Sequence, residues 1–485
     1  MIQTEFDTSK VMVMTDLLFG LPHCLICDLL GNWVGLKSIV RLDSVYVSKF
    51  SRETFLDTLK SKELVVTDYE LYTDNFPNDL VEWAVKRRIK FSALAFGFQT
   101  CSAVSPQLMQ QFLKLNGPTL KSFVMHSDDS FDDTVWLKGL TEDCLALEIL
   151  EFEKDETEVD GFGSMLQEIF RKHSKTLVRL DISCGGISIE LPAGCPFPVL
   201  KEFHPRAGNR IAELDEFLRQ CPELKRMTMS AALCGYHMSF LQTIAMHCPQ
   251  LNLINLVDLA ARVIPEVIRL CPPGPALHLH FDPYMEARDL ISIVTTLPNI
   301  QSLTLATSKT THLVLQKIKE HCGNTLRKLS LQECLPFMHT AFLELLKACK
   351  NLNILYLNGC CDLIPLQLCQ IIHTCPELTS LSLLAYPVND AVLKTIGESL
   401  PNLTTLNVEV DDESNMLSTY TLKGINHLLQ GCPELTKFCM GSRYDVLMVD
   451  RARTRIKLQY PNLNIWGPEV SGEWFMDNAD EFLYE

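Results

Sequence analysis

Cys24 and Cys27 stand two residues apart, the spacing of a redox pair or of half a tetrahedral zinc site. The chemistry needs more than the spacing offers: no second Cys pair lies nearby, and both thiols fall inside an apolar helical stripe, so packing is the expected role. Cys360 and Cys361 are adjacent, so one is expected to face a core and the other a turn. His278 and His280 flank Leu279 and should share one face of a strand, but two imidazoles alone make a poor metal site. The chain has no phosphate-binding glycine loop, no Gly-x-Ser-x-Gly elbow and no convincing Cys/His nucleophile pair. These residues imply no enzyme, no cofactor and no metal.

The elements that would position such residues repeat. The motif L-x-x-L-x-L can be anchored at Phe91, Leu120, Leu147, Leu177, Leu200, Leu224 and Leu251, then at Gly274, Ile300, Leu326, Leu352, Leu378, Leu403, Leu435 and Leu463. Successive anchors are 23 to 32 residues apart, centred on about 26, inside the leucine-rich-repeat range. The same words introduce several units, such as CPELKRM from Cys221, CPQLNLI from Cys248 and CPELTSL from Cys375. Leu355 and Leu357 alternate as in a strand with one buried face. HTAFLELLKACK from His339 then carries Phe342, Leu345, Leu346 and Cys349 at helical spacing. The recurring Cys334, Cys349, Cys360, Cys375 and Cys432 are expected to be reduced and buried. Gly274 in place of a leucine, Pro205 inside LKEFHPRAG and the acidic stretch EVDDESN mark the irregular units.

No single unit can bury its own core, so units must stack. Strands pack about 4.8 Å apart and helices roughly 8–10 Å apart, so the array must curve with its strands inside. The fold class expected is α/β: a leucine-rich-repeat solenoid or horseshoe, with parallel strands on the concave face and helices on the convex face. A small N-terminal helical module precedes it. The divisions are 18–60 for that module or cap, 61–90 for a connector helix, 91–466 for about 14–15 repeat units, and 467–485 for an acidic-aromatic tail.

Over residues 91–466 this pattern resembles the cysteine-containing repeats of the ribonuclease-inhibitor-like superfamily, especially those of F-box/leucine-rich-repeat proteins. LPHCLICDLLGNWVGLKSIVRLDSVYVSKF, from Leu21, resembles an F-box, with Phe50 near the position usually held by tryptophan. The resemblance implies a Skp-type adaptor and a cullin as partners, with Leu21, Pro22, Leu25 and Ile26 at the adaptor contact and Leu36, Ile39 and Val40 filling the module. It implies a substrate-recruiting subunit of a cullin–RING ubiquitin ligase. The residues leave a second reading open, a ligase-independent scaffold whose first helices only cap the solenoid.

On such a solenoid the non-leucine strand positions tile the concave face, where a protein substrate would bind. They include Glu151, Glu153, Asp181 and Glu202 early, then Arg226, Asn255, His278 and Lys328, then Tyr356, Asn358, Asn407 and Lys437. A basic or mixed-charge partner is implied, and Tyr356 is the best single contact. A net charge of −16 argues against nucleic acid and against an anionic membrane surface. No apolar run reaches the roughly 18–20 residues of a membrane span, and the first residues lack a signal-peptide pattern. With 19 cysteines and no such segment, a cytoplasmic or nuclear location is expected.

Overall fold

The computed structural model describes residues 26, 49–60, 65–66, 77–96, 104–127, 134–154, 162–184, 188–190, 194–205, 210–212, 214–230, 239–281, 284–305, 311–332, 339–358, 363–384, 388–409, 420–440, 460 and 463–466. Two units divide the chain, one of residues 1–235 and 242–251, the other of residues 236–241 and 252–485.

The first unit begins with α1 (Lys49–Leu59), β1 (Val65–Val66), α2 (Pro77–Arg87) and β2 (Lys90–Phe91), β1 and β2 pairing in parallel. Six parallel strands follow in spatial order: β3 (Ala93–Phe96), β4 (Ser122–Ser127), β5 (Ile149–Lys154), β6 (Arg179–Cys184), β8 (Glu202–Pro205) and β10 (Arg226–Ser230). A two-stranded side sheet joins β7 (Ser188–Glu190) to β9 (Arg210–Ala212). The helices between strands are α3 (Pro106–Asn116), α4 (Thr134–Glu142), α5 (Phe162–His173) and α6 (Leu214–Arg219), with α7 (Ser239–His247) divided between the units.

The second unit repeats the plan more regularly. Its nine parallel strands are β11 (Leu253–Leu259), β12 (Ala276–Phe281), β13 (Ile300–Leu305), β14 (Lys328–Gln332), β15 (Ile354–Asn358), β16 (Ser380–Leu384), β17 (Thr405–Glu409), β18 (Lys437–Met440) and β19 (Asn464–Trp466). The helices are α8 (Ile264–Leu270), α9 (Ala287–Thr296), α10 (His312–Cys322), α11 (His339–Ala348), α12 (Pro365–Thr374), α13 (Asp390–Ser399) and α14 (Leu422–Gly431).

The anchors from Leu120 to Leu463 each open one of these fifteen parallel strands, and Phe91, the last residue of β2, stands just before β3. The architecture of both units is that of a leucine-rich-repeat solenoid. The core lies between strand layer and helix layer: Leu329, Leu355, Leu381 and Leu406 pair in register across β14–β17 and are buried, as are Phe342, Leu345 and Leu346 of α11. The same logic holds in the first unit with larger side chains, where Trp136 of α4 packs edge-on against Phe96 at 4.7 Å.

Two lead-in devices tie several of the repeats to the one before. Helix-end cysteines in the CP-x-L units point inward. Cys432 donates to the carbonyls of Leu400 at 3.3 Å and Ile396 at 3.9 Å, and Cys248 donates to Leu218 at 3.6 Å. Cys349, Cys375 and Cys432 are buried, and burial pushes each thiol up to about 12, far from the reactive thiolate range. Cys334 and Cys360 lie outside the described residues. The second device is a Thr-Leu lead-in: Thr119, Thr176 and Thr325 donate to the carbonyls of Phe91, Leu147 and Ile300 at 2.9, 2.6 and 2.7 Å. Three residues upstream of the first two, Asn116 and His173 accept from the main-chain N–H of Phe91 at 2.8 Å and Leu147 at 3.3 Å. His173 is fully buried, and burial lowers its affinity for a proton.

The irregular units are absorbed locally. Gly274 sits in open space, and the register between β12 and β13 shifts at Leu277–His278, beside Asn299 with φ 57°. Asparagine tolerates that left-handed conformation better than most residues. Pro205 closes β8, where a missing N–H does least harm. After the acidic stretch, α14 returns against α13 by way of glycines. A Cβ at Gly431 would collide with the carbonyl oxygen of Gly397, and one at Gly397 would meet that of His427 at 2.7 Å. Gly431→Val should therefore lower stability by roughly 1–3 kcal/mol, while Gly274→Ala should stay within about 0.5 kcal/mol. Denaturant melts of the two variants check this, and equal midpoints would contradict the close helix approach.

Candidate functional site

In the first unit, the outward positions of the x-L-x-L strands form a continuous polar face. Because the strands are parallel and in register, residues far apart in sequence become cross-strand neighbours: Val124, Glu151, Asp181 and His204 share one row, and Ile149, Arg179, Glu202 and Arg226 another. The inward Leu150, Phe152, Leu180, Ile182 and Phe203 are buried, which fixes the direction of the polar side chains.

The face is a ladder of alternating charge. His126 of β4 sits 3.0 Å from Glu153 and 3.5 Å from Glu151 of β5. Arg179 of β6 reaches Glu151 at 3.4 Å, Asp181 at 3.6 Å and Glu202 at 4.0 Å. Glu202 in turn meets Arg226 at 3.4 Å and His204 at 3.8 Å, and His204 hydrogen-bonds Thr228 at 2.9 Å. Burial works against charging His126, but hydrogen bonds and charge from Glu151 and Glu153 outweigh it and lift the imidazole to about 9. It is therefore a cation at neutral pH. The imidazole of His204 beside it, then the guanidinium groups of Arg179 and Arg226, hold Glu202 below the ordinary carboxylate range against the effect of burial.

The arrangement sets fixed charges of both signs side by side on one strand face. Each carboxylate in the ladder already faces a cation, and among the described residues no group of three His, Cys, Asp or Glu side chains could hold a metal ion. No described helix is long and apolar enough to cross a membrane.

The sequence-derived residues fall in different surroundings. Glu151, Glu153, Asp181 and Arg226 all join the ladder, Glu151, Glu153 and Arg226 partly exposed and Asp181 only 3% exposed. In the second unit His278, Lys328 and Tyr356 project from the strand face but are 8%, 7% and 8% exposed, and Asn358 is partly exposed. The ammonium of Lys328 stands 5.2 Å from the Tyr356 ring centroid, a cation–π contact, and the Tyr356 hydroxyl lies 3.5 Å from Ser380 Oγ. These side chains spend much of their surface on one another. At the N-terminus, Ile26 lies in a helix and is 4% exposed, while Leu21, Pro22 and Leu25 lie outside the described residues.

Sequence reading missed His126, Arg179 and His204. Arg179 had a usable signal: it precedes Leu180 as Glu202 precedes Phe203 and Arg226 precedes Met227, so it belongs to the same row. The pairing of His126 with Glu153 depends on the lateral register of β4 and β5.

No protein-family model matches the chain, and no curated protein matches it in sequence. Among solved structures it is similar to the leucine-rich repeat-containing protein LegL7 from Legionella pneumophila, at 17% identity over 53% of this chain and 87% of that one, TM-score 0.37. Rad7 from the yeast Rad7–Elc1 complex structure aligns at 15% identity over 85% of this chain and 94% of the other, TM-score 0.37. TLR13 from a complex with ssRNA13 aligns at 13% identity over 78% and 66%, TM-score 0.34.

Proposed function

We propose that this chain is a protein-interaction solenoid that holds a partner on the strand face of its first unit and serves as the substrate-recruiting subunit of a cullin–RING ubiquitin ligase. The observation that carries the interaction reading is the charge ladder itself. Glu151, Glu153, Asp181 and Glu202 set against Arg179, Arg226 and protonated His126 leave a mixed face with an acidic excess. Its partner is a protein segment of mixed charge with a basic excess, steered and held in register by complementary charge. The ligase part rests on the F-box-like pattern beginning at Leu21 and on the cysteine-containing repeat, which resembles that of ribonuclease-inhibitor-like F-box proteins.

A second reading, in which the first helices only cap the solenoid, is favoured by one observation, the burial of Ile26. Affinity purification of three proteins separates the readings. Wild type should bring down a Skp-type adaptor, a cullin and a set of substrates. Glu151→Lys with Glu202→Lys should lose the substrates and keep the adaptor. Leu21→Ala with Leu25→Ala, which spares the buried Ile26, should lose the adaptor with little change in melting. If that double variant instead loses roughly 4–8 kcal/mol, and wild type recovers no adaptor, the N-terminal helices are a cap and the scaffold reading stands. Unchanged substrate recovery by the charge-reversed ladder would refute the strand-face assignment.

A further inference from the structure

The carboxylates of the charge ladder already face cations, so a cation brought by a partner must compete with one in place. The ladder offers one position where that competition is easiest. Arg179 and Arg226 are permanent cations, because a guanidinium keeps its proton throughout the physiological pH range. Both crowd Glu202, at 4.0 and 3.4 Å, and Asp181 is buried. At the β4–β5 end the arrangement differs. Glu153 faces His126 at 3.0 Å, and Glu151 faces His126 at 3.5 Å and Arg179 at 3.4 Å. The side chains of His126, Glu151 and Glu153 are 16%, 15% and 17% exposed, so all three can be reached from solvent. Of the three cations, His126 alone can lose its charge without moving, by giving up its proton.

Among the described side chains, the titratable groups facing His126 are Glu151 and Glu153 of β5, with Arg179 of β6 beyond Glu151. On the other side of β4, β3 runs Ala93–Phe96 and holds no titratable residue. The helix layer packs against the inward side chains instead, as Trp136 does against Phe96 and Phe123. Strand register sets Ala95 beside Val124, Val124 beside Glu151, and Ser122 beside Ile149. Ala95, Val124 and Ile149 are half-buried, so a small apolar shelf borders the acid pair. Such a shelf takes the methylene stem of a lysine or arginine whose charged head reaches the carboxylates.

We infer that an arginine or lysine of the partner docks on Glu151 and Glu153, with an aliphatic or aromatic neighbour on the shelf of Ala95, Val124 and Ile149, and that His126 releases its proton to solvent as this cation arrives. The inference rests on the strand-face reading and names its contact point. In the free chain the two carboxylates are what hold the proton on His126 against the effect of burial. An incoming cation competes for both carboxylates and repels the imidazolium, and each effect favours the neutral ring. Binding and proton release are then linked and reciprocal, so the partner is held more tightly as pH rises and loosens as it falls.

A random twelve-residue phage-displayed library, selected on the intact chain at pH 8.5, supplies the probe. The peptides enriched should carry net positive charge, with an aliphatic or aromatic residue next to arginine or lysine. One that lacks histidine, made with an acetylated N-terminus, is titrated calorimetrically at pH 7.5 in phosphate and in Tris. The difference in heat should report roughly 0.5–1 proton released per peptide bound. Its affinity for wild type should rise about 10-fold or more from pH 6.5 to 8.5. His126→Gln should bind at pH 6.5 about as tightly as wild type does at pH 8.5, with no proton released. His126→Lys, a permanent cation at the same place, should bind weakly at both pH values. The wild-type proton count stands whether or not the variants fold. Enrichment of neutral or acidic peptides, or none above the bare support, would overturn this inference and the strand-face reading together. Basic peptides that are lost on Glu202→Lys but bind wild type with no proton release would overturn the contact point alone and leave that reading standing.

Discussion

Leu355→Asp should leave the second unit unable to fold at physiological temperature. Leu355 is fully buried in β15, with Leu329 of β14 on one side and Leu381 of β16 on the other. Replacing it removes the transfer energy of the isobutyl group and leaves a cavity, about 2–5 kcal/mol for a large-to-small change alone. The carboxylate then lies among leucines with no cation facing it. It must remain charged at a penalty of several kcal/mol or take up a proton and still lack partners. The sum approaches the roughly 5–15 kcal/mol that holds a typical domain together. The stacked units transmit the loss to their neighbours, because each unit completes its core only against the next. Circular dichroism and a denaturant melt, with exposed Lys350→Ala as control, check the outcome. A melting point for Leu355→Asp within a degree or two of wild type would contradict the register.

The second large effect depends on pH. His126 binds its proton more tightly in the folded chain, with a value of about 9 against about 6.5 for an unperturbed imidazole. A raised folded value means the contribution is complete below about 6.5 and is lost as pH rises through about 9. The full shift corresponds to about 3 kcal/mol, a ceiling because Glu151 also holds Arg179 and the groups titrate together. Wild type should therefore lose stability between pH 6.5 and 8.5, and His126→Gln should be less stable at pH 6.5 and nearly flat across the window. The comparison belongs below pH 8.5 because the buried thiols add their own loss above it, being held protonated in the fold and free to ionise when unfolded. His173 works in the opposite sense, since its folded value is lowered and its contribution is lost as pH falls below about 6.5. Identical slopes for wild type and His126→Gln in urea melts at pH 6.5, 7.5 and 8.5 would mean the ladder does not hold His126 charged.

The repeat was legible in the sequence because burial dictates it locally. A strand with one face in a core must alternate, a helix above it must repeat at 3.6, and stacking forces both to recur at about 26 residues. Even Gly274 marked a strand start, since its neighbours Leu277 and Leu279 kept the alternation. Cys349, Cys375 and Cys432 were legible for the same reason: one spatial slot admits only a small apolar side chain. The Thr-Leu lead-in was present in the letters at Thr119, Thr176 and Thr325, but its purpose, a bond to the carbonyl of the preceding anchor, exists only once two units are stacked. The ladder is tertiary in the same way. Glu151 and Arg179 are 28 residues apart, and nothing in either strand states that the other lies beside it. Lateral register decides which charges meet, and hence that His126 is a cation and that the acidic early units are largely self-neutralised. The environment of Tyr356 and Lys328 was likewise decided by packing. Parallel strands bring a lysine over a tyrosine ring, so two residues that look like free contacts in the sequence are buried, in part against each other.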